Sequence, residues 1–293
     1  MNAVAQVDEA QVDVRAEAAE LPLDTKFILG SEITPIQKAF LDIHGFIHFS
    51  GAASRDEVAR INGEVDRIQS EWLAEERKEV FGIPIFTGRG PDGGDLMQRI
   101  PFTSVFSDAI SQFLRQAKFE PIRTLVGGGA RIGDKEKDGA VVSTYVNVPG
   151  SVYPRLGWHT DGLRSIAYLR MPGPMLNVGM HLTDCPRENG GLRLIPGTHR
   201  QGFLSMCFHK PYFVWHRPDK REVAVETRAG DLTVHDGRLW HRVERSPHTG
   251  RASLRRVMYV PYLTDEFHPK GEDSSTPIYH HIGKVMRLFK RRK

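Results

Sequence analysis

A chain of 293 residues with 40% hydrophobic content can bury one sizeable core or two small ones. Its formal charge of +4 is carried by the last ten positions, KVMRLFKRRK, which hold six cations and leave residues 1–283 at −2, so no basic body is available and no nucleic-acid partner is expected. No run approaches the roughly 18–20 apolar residues of a membrane span, the start is acidic where a secretory signal would be basic, and Cys185 and Cys207 sit in no zinc-type spacing; these features predict a cytoplasmic protein without a disulfide.

In chain order, residues 1–22 are rich in Ala, Glu and Val without turn chemistry, which predicts a mobile tail. Thr34-Pro35-Ile36-Gln37 then combines a threonine N-cap, a proline at the first helical position and a glutamine three residues on, so a short helix starts there. GFIHF (45–49) reads as a strand, and Ser54-Arg55-Asp56-Glu57 repeats the capping-box pattern. Val58, Ile61, Val65, Ile68 and Trp72 follow at helical spacing and predict an amphipathic helix over about 55–75. Residues 81–104 are Gly- and Pro-rich and read as a loop region, after which Phe106, Ile110, Phe113 and Leu114 mark a helix over about 105–117.

From about residue 140 the chain changes to short β-rich runs punctuated by Gly, Pro and Asp: VVSTYVNV, SIAYLRM, LNVGMHL, GLRLIPG, REVAVETRAGD, LTVHD and SLRRVMYVPY. Closely spaced strands of this kind favour a sandwich or jelly roll. The plan is a mainly β domain with flanking helices (α+β) over 23–283, helical to about 130 and a barrel over about 140–263, followed by a solvated basic tail at 284–293.

Thirteen histidines make any one of them uninformative, but His159-Thr160-Asp161 is a pair with geometry. On an extended segment residues i and i+2 share a face, so imidazole and carboxylate can meet on one ion. Two histidines and one carboxylate leave three positions open on iron(II), the set that non-haem oxygenases use. The third ligand must lie downstream, among His181, His199, His209, His216, His235, His241 and His248. His241 is preferred because it closes DLTVHDGRLWH, past the turn Gly230-Asp231, which places it on a strand opposite His159. His235, next to Asp236, reads as a core histidine or a neighbour of the ligands.

HTDG (159–162), ENGGLRLIPGTH (188–199), GDLTVHDGRLWH (230–241) and the arginine-bearing strand after them resemble, in this order, the phytanoyl-CoA dioxygenase-like family of iron(II)/2-oxoglutarate oxygenases, over roughly residues 34–263. The resemblance implies a double-stranded β-helix barrel with His159, Asp161 and His241 as metal ligands and catalytic centre, and a structural role for His199. It also implies iron(II) as cofactor, with 2-oxoglutarate and dioxygen as co-substrates, and an arginine on the last strand that grips the distal carboxylate through a bidentate pair. Arg251 and Arg255 compete for that role: the interval from His241 suits Arg251, the run RRVMYVPY suits Arg255, and Arg255 is preferred. By strand alternation these two share a face and Arg256 takes the other. Asn147 and Thr198 are further candidates for contact with 2-oxoglutarate. Because Asp161 is a carboxylate, the site departs from halogenating relatives, and hydroxylation of a small organic substrate, with release of succinate and carbon dioxide, is preferred.

The irregular aromatic segment QGFLSMCFHKPYFVWHRPDK (201–220) is placed to cover the barrel mouth or to fill the gap between barrel and helices. Lys210, Arg217, Lys220 and Arg221 within and beside it point to an anionic substrate. Two other readings keep the same residues: a cupin-like metal dioxygenase or isomerase without a 2-oxo acid, and a non-catalytic barrel that binds a partner.

Overall fold

The computed structural model describes residues 9–162, 166 and 171–277. The two local capping signals are realised in full. Thr34 accepts from the Gln37 N–H while the Gln37 side chain accepts from the Thr34 N–H, and α2 (Pro35–His44) follows. Ser54 and Glu57 make the same exchange at the head of α3 (Arg55–Ala74), whose Val58, Ile61, Val65, Ile68 and Trp72 are all buried. Ahead of them, α1 (Glu9–Glu20) corrects the expectation of a tail over residues 1–22, and β1 (Lys26–Phe27) follows it. Alanine and glutamate are strong helix formers as well as common in disordered segments, and the burial of Ala18 against the core decides between the two. Residues 1–8 and the tail at 284–293 lie outside the described residues.

Beyond β2 (Phe46–Phe49), α3 and β3 (Glu79–Val80), half of the predicted loop region is strand: β4 (Ile83–Pro84), β5 (Phe86–Arg89) and β6 (Asp95–Ile100). The richest glycine stretch, Gly90-Pro91-Asp92-Gly93-Gly94, is the tight turn that joins β5 to β6, while Leu96, Met97 and Gln98 of β6 are buried. The predicted helix over 105–117 is shorter, α4 (Asp108–Leu114), because Ser107 caps it. Then come α5 (Glu120–Val126) and β7 (Arg131–Ile132).

The barrel strands are β8 (Val141–Tyr145), β9 (Leu156–His159), β10 (Met175–His181), β11 (Gly191–Leu194), then α6 (Phe203–Phe208), β12 (Val223–Ala224), β13 (Leu232–Asp236), β14 (His241–Glu244) and β15 (Arg255–Leu263). SIAYLRM, expected as a strand, lies largely outside the described residues. The larger sheet runs β1-β2-β13-β10-β15-β8-β6-β5 and the smaller β12-β11-β14-β9. From β8 to β15 the chain therefore steps between two facing antiparallel sheets, which is the jelly-roll winding.

Alternation along the larger sheet sorts its two faces. Leu176, Val178 and Met180 of β10 and Met258 and Val260 of β15 join the core beneath the helices. Arg256 points the same way, reaching Asn62 and Asp66 on α3. Asn177, Gly179 and His181 take the opposite face, across from Pro261, Tyr259 and Val257, and look toward the smaller sheet. The outer face is thus apolar and the inner face carries the chemistry.

Candidate metal centre

His159 ends β9 and His241 begins β14, and the two are directly paired across the smaller sheet. Asp161 follows where the strand has ended, its N–H donating to the Gly237 carbonyl at 2.8 Å. One ligand atom from each of His159, Asp161 and His241 lies within 4.8 Å of the others, and the His241 Nε2 stands 3.8 Å from Asp161 Oδ1. Both imidazoles are buried.

The donor set fits a metal ion. His159 Nδ1 donates to the Gly157 carbonyl at 2.9 Å and His241 Nδ1 to the Leu239 carbonyl at 3.0 Å. A carbonyl can only accept, so each ring carries its proton on Nδ1 and presents a bare Nε2 lone pair. Burial holds both imidazoles below the ordinary histidine range and hence neutral. Burial works against charge on Asp161 too, but hydrogen bonding led by His235 opposes it, and the carboxyl lies well below the usual carboxylate range.

Two residues of the larger sheet hold that carboxylate from behind. Asn177 Nδ2 donates to Asp161 Oδ2 at 3.0 Å and His235 Nε2 lies 3.3 Å from the same oxygen. His235 therefore neighbours the ligands, as its sequence context suggested. Asn177 was missed, although LNVGMHL alternates Leu, Val and Met with Asn, Gly and His, a pattern that marks one face of the strand as polar. His199 lies elsewhere, against the Asp42 carbonyl at 3.2 Å.

The four residues expected to hold 2-oxoglutarate divide sharply. Arg255 is buried, 4% exposed, at the head of β15, with Tyr145, Val257 and Tyr259 around a small cavity that also touches Thr183 and Cys185. Its guanidinium meets backbone carbonyls, Glu244 O at 2.7 Å and Pro154 O at 3.4 Å, and among the described residues no carboxylate pairs with it. Arg251 does not share that face. It sits in a 3-10 turn ahead of the strand, its side chain 78% exposed and paired with Asp92 at 2.7 Å. Asn147 is fully occupied: Nδ2 donates to the Ser246 and His248 carbonyls and Oδ1 accepts from Arg245. Thr198 donates to the Ile195 carbonyl and accepts from the Trp240 N–H, so it anchors the backbone one residue before His241. In both residues the polar groups serve the scaffold.

Segment 201–220 lies over the ligand strand. Tyr212 shares a 2.8 Å hydrogen bond with the Thr160 hydroxyl and the Phe213 ring lies tilted against His159, while Leu204 and Phe208 stand 71% and 80% exposed. The cations expected to greet an anion are partly spent: Lys210 and Arg221 both pair with Asp219, and Arg217 lies over Trp215.

A family model described as Phytanoyl-CoA dioxygenase (PhyH) matches residues 41–252. A search of curated proteins returns no significant match. Among solved structures, the non-haem α-ketoglutarate-dependent epimerase SnoN from nogalamycin biosynthesis is similar at 23% identity and TM-score 0.55, over 78% of this chain and 79% of its own. The α-ketoglutarate-dependent carbocyclase SnoK from the same biosynthesis is similar at 19% identity and TM-score 0.55, over 91% and 92%. HygX from Streptomyces hygroscopicus, solved with nickel and 2-oxoglutarate bound, is similar at 19% identity and TM-score 0.56, over 81% and 90%. At these identities the likeness is one of fold, and it agrees with the jelly-roll winding.

Proposed function

We propose an iron(II)- and 2-oxoglutarate-dependent oxygenase from one established premise: the chain belongs to the phytanoyl-CoA dioxygenase family. The observation that carries the reading is the convergence of two bare Nε2 atoms and one carboxylate on the inner face of the barrel. Iron(II) held there with 2-oxoglutarate and dioxygen supplies oxidative decarboxylation, to succinate and carbon dioxide, together with the oxidising power to break a substrate C–H bond.

His159 and His241 are the nitrogen ligands. Asp161 offers Oδ1, since Oδ2 is held by Asn177 and His235. Arg255 takes the distal carboxylate of 2-oxoglutarate. A buried guanidinium with no carboxylate of its own leaves an anion to be supplied by the ligand, and Arg255, Val257 and Tyr259 line one cavity along β15. Tyr259 brings that cavity to His235, 6.3 Å away between ring centroids, and so to the back of the ligand set. Segment 201–220 shields the centre from water. A carboxylate at position 161 favours oxygen transfer over halogenation, and hydroxylation of a small organic substrate is the reaction we assign. With Lys210 and Arg221 spent on Asp219, the exposed Leu204, Phe208 and Trp215 support apolar contact with that substrate more than anionic recognition.

Adding iron(II) and 2-oxoglutarate without oxygen tests the reading: a visible charge-transfer band is expected, and its absence sinks the co-substrate assignment. Succinate release under oxygen should vanish in His159→Ala and Asp161→Ala. Arg255→Ala should raise the KM for 2-oxoglutarate about 30-fold or more, corresponding to roughly 2 kcal/mol for a lost buried charge pair, while Arg251→Ala leaves it unchanged. The reverse outcome would return the clamp to Arg251.

A further inference from the structure

β9 is the edge strand of the smaller sheet, yet its edge is not bare. The Phe213 N–H donates to the Trp158 carbonyl at 2.9 Å and the Trp158 N–H donates to the Trp215 carbonyl at 3.0 Å, so a turn around residues 212–214 covers that edge. The approach depends on Gly157, where a Cβ would fall 2.4 Å from the Phe213 carbonyl oxygen. Phe213 itself has φ +61°, the left-handed region that a bulky side chain seldom enters. Such a conformation persists only where the surroundings over-determine it, and it concentrates at functional sites.

The surroundings here are the ligand motif. Tyr212 donates to the Met206 carbonyl at 3.1 Å and accepts from the Thr160 hydroxyl at 2.8 Å, which ties the segment to the middle residue of His159-Thr160-Asp161. With its neighbours fixed in this way, the ring of Phe213 lies 5.0 Å from the His159 imidazole at 34°, and among the described residues the other ring beside His159 is His241, at 4.0 Å and 53°. The Gly157 carbonyl restrains one edge of the imidazole by a single hydrogen bond; a ring against its face removes the remaining freedom to tilt.

We infer that Phe213 is a positioning residue for the metal centre, holding the His159 imidazole in its ligating orientation through ring contact and coupling segment 201–220 to the ligand strand. The inference rests on His159 being a ligand but requires neither 2-oxoglutarate nor turnover, so it is tested with metal alone. Cobalt(II) is titrated into the metal-free full chain and followed by absorbance in the wild type, Phe213→Ala, Phe213→Leu and Phe213→Tyr, alongside melting of each metal-free protein. Weakening of cobalt(II) binding by roughly tenfold is expected in Phe213→Ala, the size typical of a lost outer-shell partner, with binding restored in Phe213→Tyr. Where the alanine variant fails to fold, Phe213→Leu keeps the apolar bulk without the flat ring and should weaken binding in the same sense. Equal affinity in the wild type and Phe213→Leu, or a lower melting temperature in Phe213→Ala with unchanged cobalt(II) affinity, overturns the inference. A wild type that binds cobalt(II) but forms no 2-oxoglutarate chelate overturns the functional reading and leaves the Phe213 comparison intact.

Discussion

At the scale of single residues, a carboxylate that serves one metal ion through one oxygen needs its other oxygen engaged. Asp161 Oδ2 is engaged twice, by Asn177 at 3.0 Å and His235 at 3.3 Å, from strands of the opposite sheet. Asn177→Ala removes the better donor and frees the carboxylate to rotate. Cobalt(II) affinity should fall by about 10- to 100-fold, with little loss of folding stability, measured by the same titration and by chemical denaturation. Affinity equal to the wild type would mean that His235 alone orients Asp161. The ligands were legible because His159 and Asp161 sit two residues apart on one extended face, with His241 in a family motif. Asn177 was not, because its contact crosses between sheets and no local spacing encodes it. Asn147 and Thr198 show a related limit of spacing: a polar residue near a site looks the same in sequence whether it faces ligand or backbone, and here Arg245, Ser246, Trp240 and Ile195 engage them.

At the scale of elements, β10 and β15 set the width of the inner cavity. Gly179 lies directly across from Tyr259, and a Cβ there would come within 2.4 Å of Tyr259 Cε1 and 3.0 Å of the Thr233 hydroxyl. Gly179→Ala should therefore push the Tyr259 ring into the cavity and cost about 1–3 kcal/mol, the usual penalty for overpacking. Urea titration measures the stability, and the KM for 2-oxoglutarate should rise with it if Tyr259 lines the co-substrate cavity. At a purely local element, Ser54→Ala should cost about 1 kcal/mol by deleting one half of a capping box. Those two helix starts were legible because a cap is a contract among four consecutive residues. The β5–β6 hairpin was not: the density of glycine and proline in its turn masked the short strands on either side, which are completed only by pairing of β6 with β8. Arg251 left the predicted strand face for the same kind of reason, since the 3-10 turn Gly250–Ser253 delays the start of β15 to Arg255.

At the scale of the whole molecule, the N-terminal part and the barrel form one structure because β1 and β2 extend the larger sheet beyond β13. Asp231 pins that junction. Its carboxylate accepts from His48 of β2 at 2.9 Å, from the Gly51 N–H at 3.0 Å and from the Arg228 N–H at 2.9 Å, with Lys26 of β1 at 3.8 Å. Burial alone would raise its pKa, but these hydrogen bonds, led by His48, more than offset that and hold it at about 2 against an ordinary 3.8. A carboxyl whose pKa is depressed by folding contributes stability that is complete above its unfolded pKa and is lost as pH falls through the folded one. For Asp231 that window runs from about pH 4 down to about pH 2, and the contribution at stake is about 2 kcal/mol. Asp231→Asn should accordingly be less stable than the wild type at pH 6, and the gap should narrow between pH 4 and 2 as the wild type loses what the variant never had. Urea denaturation at pH 6, 4 and 3 measures it. A gap that stays constant across those values would mean that Asp231 acts through shape and hydrogen-bond count, and that its charge does not hold the N-terminal strands to the barrel.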